Sequence, residues 1–193
     1  MAKILGNFHL ALLIGVLLLV AAMFGLHREV LHGAYWAVFA RYLHIFAGIL
    51  WIGLLYYFNF VQIPTMPKVP PELKPGVSKY IAPAALFWFR WAAVATVVIG
   101  LILAELISPG YMMNALKLDP GNRTIGIGMW LGIVMALNVW LVIWPNQKRA
   151  LGLVPASDES KARSASVAMM ASRTNLILSI PMLYCMVMGA HIG

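Results

Sequence analysis

Histidines and isolated charges set into long apolar runs are the residues of this chain with chemistry to offer, and His44 is the foremost of them. It lies in the stretch RYLHIFAGILWIGLLYYFNFVQIP, residues 41–64. On a helix, steps of three and four residues keep to one side, so His44, Gly48, Trp51, Leu55, Asn59 and Gln62 share a face. Polar groups confined to one face of a membrane helix look inward, towards protein or a cofactor. Two neutral imidazoles on different helices, facing each other across a bundle, make axial ligands for a b-type haem. His44 and His191 are the pair this reading selects for the iron. Gly48, one turn further in, would let a porphyrin plane approach the backbone. Arg41, one turn further out, would pair with a haem propionate, and Trp51 would pack on the ring edge.

The remaining polar residues offer less. His9, His27 and His32 read as interfacial residues that hydrogen-bond to loops or headgroups. Arg90 is an intramembrane charge whose readings are snorkelling to the headgroups, anchoring an anionic group, or pairing with Asn59 or Gln62. Asn138 sits mid-span and needs an interhelical hydrogen bond. Glu105 belongs to the outer interface. The methionines near the C-terminal end read as packing. Cys185 is the only cysteine, which excludes an internal disulfide and a Cys-X-X-Cys-His attachment site for c-type haem. There is no paired-carboxylate site, no glycine-rich phosphate loop, and no nucleophile beside a base.

The elements that must position these residues follow from hydropathy. With 62% hydrophobic and 10% charged residues among 193, the chain is not an ordinary water-soluble domain. The net charge of +8 sits in short loops, a pattern of cytoplasmic exposure and anionic-lipid contact rather than of nucleic-acid binding. Five apolar runs are long enough to cross a bilayer: about 8–26, 38–63, 83–107, 124–144 and 174–191. The first is expected to be an uncleaved span rather than a signal peptide. Span two is expected to stop at Pro64, and a proline-rich connector (Pro67, Pro70, Pro71, Pro75, Pro83) to lie at the interface as turns. Pro145 is expected to end span four, whose Gly128, Gly132 and Ala136 allow a close helix approach. The segment from Asp158 to Ser172 is expected to be helical and continuous with span five. Lys3, Lys68, Lys74, Lys79, Lys148, Arg149, Lys161, Arg163 and Arg173 outnumber Arg28, Arg41, Lys117 and Arg123 across the alternate loops. That bias predicts a cytoplasmic N-terminus and a periplasmic C-terminus. The fold class is therefore an all-α integral membrane bundle of about five helices, without a separate soluble domain. In this topology His44 lies roughly 5–10 Å below the outer boundary, on the same side as His191.

Several blocks resemble a known family. The segments His44-IFAGILWIGLLYYFNFVQIP, Phe89-RWAAVATVVIG, Asn138-VWLVIWPNQKRALG and Ser172-RTNLILSIPML resemble the membrane domain of PuuD-type urate hydroxylases, also called the urate oxidase N-terminal domain. The resemblance runs from span two to span five, and its matching positions are His44, Trp51, Arg90, Asn138 and Asn146. It implies a membrane-bound redox protein of the bacterial inner membrane, linked to urate oxidation, with a periplasmic cytochrome c domain as electron acceptor. This sequence has no Cys-X-X-Cys-His, so the cytochrome would be a separate partner. Span two alone is also similar to HemJ-type protoporphyrinogen oxidases, through its His, the following Trp and the Gly-Leu-x-Tyr sequence at Gly53.

Three functions fit these observations. The first is a b-haem redox protein that passes electrons to a partner at the outer face. The second is an oxidoreductase acting on urate or a porphyrin, with a cavity lined by groups such as Arg90 or Asn138. The third is a cofactor-free accessory or assembly subunit of a respiratory or photosynthetic complex.

Overall fold

Five helices long and apolar enough to cross a membrane account for most of the computed structural model, which describes residues 2–192. They are α1 (Phe8–Val30), α2 (Ala34–Lys68), α3 (Lys74–Ile107), α5 (Pro120–Ala150) and α6 (Asp158–His191), with the short α4 (Tyr111–Leu116) between α3 and α5. No strand occurs among the described residues. The chain is an all-α, multi-pass membrane protein, as its hydropathy predicts.

The helices run further than the apolar spans. At 1.5 Å per residue, the 35 residues of α2 extend about 50 Å, well beyond the roughly 30 Å hydrocarbon core. Pro64 and Pro145 do not end their helices, contrary to expectation, and Pro75 and Pro83 lie within α3 rather than in an irregular connector. The physical reason is visible one turn earlier. A proline lacks an N–H, and its ring collides with the carbonyl four residues before it. Ahead of Pro64, Pro83 and Pro145 the chain widens into π-helical turns, Tyr57–Gln62, Val77–Ile81 and Val139–Ile143. Each contains the residue four positions before its proline, namely Phe60, Lys79 and Leu141. Widening absorbs the clash, and the helix continues.

The caps are local. Asn7 accepts from the Leu10 N–H at 3.2 Å and opens α1. Ser157 accepts from the Ser160 N–H at 3.3 Å, and Asp158 and Glu159 fill the first turn of α6, where carboxylates complement the helix dipole. The segment from Asp158 to Ser172 is helical and continuous with the last span, as expected.

The chain divides into two compact units, one ending at Phe39 and one beginning at Ala40. In the first, the Tyr35 ring stacks on Phe39 at 6.3 Å and lies 5.8 Å from the His27 ring. No residue of the helix Phe8–His27 is buried.

The second unit is a four-helix bundle of α2, α3, α5 and α6. Its core is Trp51, Leu55 and Phe58 from α2, Leu86, Phe89 and Ala93 from α3, Met135, Val139 and Ile143 from α5, and Met182 from α6. Neighbouring helices are antiparallel. His44 meets Thr96 while Phe58 meets Phe89 (ring centroids 5.5 Å apart), and Gly128 faces Cys185 while Asn138 reaches Asn175. The histidine end of the bundle therefore gathers the part of α2 around His44 and the first turns of α5 with the last turns of α3 and α6. The opposite end gathers Lys68, Lys74, Lys79, Lys148, Arg149, Lys161 and Arg163.

Candidate functional site

Two clusters in the bundle hold polar groups in unusual settings, one towards the histidine end and one deeper in the bundle. The first is built on His44. Its Nδ1 lies 2.8 Å from the Thr96 carbonyl oxygen, and a carbonyl only accepts, so Nδ1 carries the hydrogen. In the neutral ring Nε2 is then the lone-pair nitrogen, free to act as a ligand. An imidazole oriented through one nitrogen by a backbone carbonyl is the arrangement that metal-binding histidines use.

Gly100 makes this possible. A Cβ on Gly100 would lie 2.8 Å from His44 Cε1 and 2.9 Å from Nδ1, so the absence of a side chain creates the seat for the ring. Thr96 turns its hydroxyl back to the Ala92 carbonyl at 2.7 Å and presents its methyl towards Gly48, where a Cβ would stand 3.8 Å away. Trp51 is 1% exposed, and its indole Nε1 has no hydrogen-bond partner. Thus His44, Gly48 and Trp51 do share one face, and that face meets α3. Arg41 is exposed.

His191 lies at the same end of the bundle, exposed, with its Nδ1 2.7 Å from the Val187 carbonyl of its own helix. Its Nε2 is left in the same chemical state as that of His44. The structure thus gives each histidine a local orienting bond, and no contact joins the two rings. No group of three metal-binding side chains occurs among the described residues. For a b-type haem, the donor chemistry of His44 fits one axial position. Neither of two surface grooves, one lined by Phe46, Ile49, Leu50, Gly53 and Leu54 and one by Leu101, Ile102, Glu105, Leu106 and Met112, includes His44.

The second cluster is a polar layer that ties all four helices. Asn59 of α2 donates to the Leu55 carbonyl and to Ser172 Oγ of α6, both at 2.9 Å. Asn138 of α5 donates to the Ala171 carbonyl at 2.9 Å and to Asn175 Oδ1 at 2.7 Å, and Asn175 returns a bond to the Met135 carbonyl at 3.0 Å. Tyr56 and Ser179 share a hydrogen bond of 3.2 Å. The Trp140 indole donates to the Arg90 carbonyl at 3.3 Å and links α5 to α3. Asn138 thus has the interhelical bond its position demands. Such bonds are worth about 0.6 kcal/mol on average in membranes, up to about 1.7.

Arg90 does not snorkel freely. It is 9% exposed, and its guanidinium carbon lies 3.3 Å from the Trp144 ring centroid and 5.7 Å from that of Trp140. Nor does it pair with Asn59 or Gln62: Arg90 Nε and Nη1, Asn59 Oδ1 and Gln62 Oε1 are all sealed without a partner. Asn146 bonds locally, to the Val142 carbonyl at 2.8 Å.

Sequence reasoning overlooked the partners rather than the principals. Thr96 and Gly100, four residues apart, form the seat of His44. Ser172, Asn175 and Ser179 follow the same three-and-four spacing along α6, a signal comparable to the α2 face but diluted in a Ser- and Ala-rich segment.

Comparison with family models, with curated proteins and with solved structures finds no match to this chain.

Proposed function

We infer that the chain is a membrane-embedded redox protein that takes a b-type haem on His44 near one end of the bundle and passes electrons to a separate partner. The observation that carries this reading is the Nδ1 bond from His44 to Thr96, which leaves Nε2 as the free ligand atom of a ring held by Gly100. Haem supplies one-electron chemistry when bound; the protein supplies an oriented imidazole, a surrounding of low polarity and, in Arg41, a cation one turn away for a propionate. His191 is the candidate for the second axial position. The resemblance to urate hydroxylase membrane domains supports a redox role and implies a cytochrome c acceptor outside the membrane. The same resemblance suggests oxidation of urate, and the likeness of span two to HemJ-type protoporphyrinogen oxidases suggests oxidation of a porphyrin, as an activity of the chain itself.

Titrating haemin into the purified, detergent-solubilised chain tests this reading. Saturable binding with a low-spin spectrum supports it, and His44→Gln should abolish that spectrum. The Gln variant retains an amide hydrogen for Thr96 but offers no imidazole to iron. No binding by the wild type would remove the haem reading.

One observation favours a second reading. The His44–Thr96 bond is itself an interhelical tie and accounts for a polar residue within the span. On that reading the chain is an accessory or assembly subunit of a larger membrane complex, and His44→Gln would leave its assembly unchanged.

A further inference from the structure

The basic end of the bundle, opposite His44, holds the most unusual charge in the molecule. Arg90 is nine-tenths buried, its guanidinium carbon lies 3.3 Å from the Trp144 ring centroid, and Nε and Nη1 have no acceptor. The Lys148 ammonium lies 5.6 Å from the same indole. Two cations thus flank one indole. Among the described residues the sole ion pair is Lys161 with Asp158, so no carboxylate neutralises Arg90 or Lys148.

Stacking on an aromatic face offsets part of the desolvation of a guanidinium but leaves its in-plane N–H groups unsatisfied. A buried donor without a partner forfeits its hydration and gains nothing in return, which makes such groups rare and in need of an explanation. An acceptor carrying negative charge answers both deficits, that of charge and that of hydrogen bonding. Helical side chains lean towards the N-terminus of their helix, and this carries the head of Arg90 towards the end where Lys74, Lys79, Lys148 and Arg149 lie. Trp144 is half-buried and lies against the guanidinium.

The geometry points to an oxyanion site at Arg90, Trp144 and Lys148 that takes a phosphate group, supplied by the headgroup of an anionic phospholipid or by free phosphate. Arg90 contributes the planar donor edge, Lys148 a mobile point charge, and Trp144 the platform against which the guanidinium rests. The site is independent of the haem reading, since it uses no residue near His44.

The test follows the thermal unfolding midpoint of the full chain in a neutral detergent. Short-chain phosphatidylglycerol, short-chain phosphatidylcholine and inorganic phosphate are titrated separately, with sodium chloride matched for ionic strength. Phosphatidylglycerol should raise the midpoint saturably and phosphatidylcholine should not. A rise with inorganic phosphate as well identifies a free oxyanion as sufficient, whereas a rise with the lipid alone identifies the headgroup as the source. Arg90→Lys, which retains charge but loses the planar stack, and Lys148→Gln, a change at a partly exposed residue, should each weaken the apparent affinity about tenfold or more. Equal responses to the anionic and zwitterionic lipids would overturn the proposal, as would wild-type responses in both variants.

Discussion

The imidazole of His44 occupies the volume that a side chain at position 100 would need, with Cε1 and Nδ1 2.8 Å and 2.9 Å from where a Cβ of Gly100 would stand. Gly100→Ala must therefore push the ring off its seat and strain the bond to Thr96. Overpacking of this kind costs about 1–3 kcal/mol. Gly48→Ala, on the facing helix, meets only the Thr96 methyl at 3.8 Å and should be tolerated. Denaturant unfolding in detergent distinguishes the two, and equal stabilities would show that the histidine seat is not as described.

The same comparison applies between α5 and α6. A Cβ at Gly189 would lie 2.7 Å from the Ile125 backbone nitrogen, and one at Gly128 would lie 3.1 Å from Cys185 Cβ, whereas a Cβ at Gly132 meets nothing within 4 Å. Gly189→Ala should therefore destabilise the bundle most, and Gly128→Ala should do so measurably. Gly132→Ala should be neutral or stabilise by up to about 1 kcal/mol through helix propensity. Thermal unfolding of the three variants gives the order directly, and a Gly132 variant as damaged as the Gly189 one would contradict the packing.

Asn138 and Asn175 are joined by a 2.7 Å hydrogen bond in the polar layer, and its contribution is measurable as a coupling. A double-mutant cycle with Asn138→Leu and Asn175→Leu should give an interaction free energy of about 0.5–1.7 kcal/mol. Strict additivity of the two single effects would mean that the 2.7 Å bond makes no net contribution.

Much of the architecture was legible because hydropathy and length are strong signals in a membrane chain. The five spans, the helical Asp158–Ser172 segment and the bonded Asn138 all emerged from the residues themselves. Prolines misled. Pro64 and Pro145 read as stops, yet π-helical widening one turn earlier lets the helices continue, and nothing in the local residue types announces that choice. The inward face of α2 was readable from His44 to Gln62, but its partners depend on how α3 and α6 rotate against it, which spacing along one helix does not fix. Arg90 was recognised as an intramembrane charge, whereas its stack on Trp144 arises from a tertiary approach across 54 positions of sequence. Of the small residues on α5, Gly128 lies in a close crossing and Gly132 does not, a distinction set by the three-dimensional register of α5 on α6.

The claim on which the account turns is that His44 offers its Nε2 to haem iron. The dithionite-reduced minus oxidised spectrum of the chain, purified with haem available, tests it most directly, beside His44→Gln with its folding verified by thermal unfolding. The wild type should give a low-spin b-type spectrum, and a folded variant should lose it. A colourless wild type, or a spectrum unchanged by the substitution, would contradict that claim.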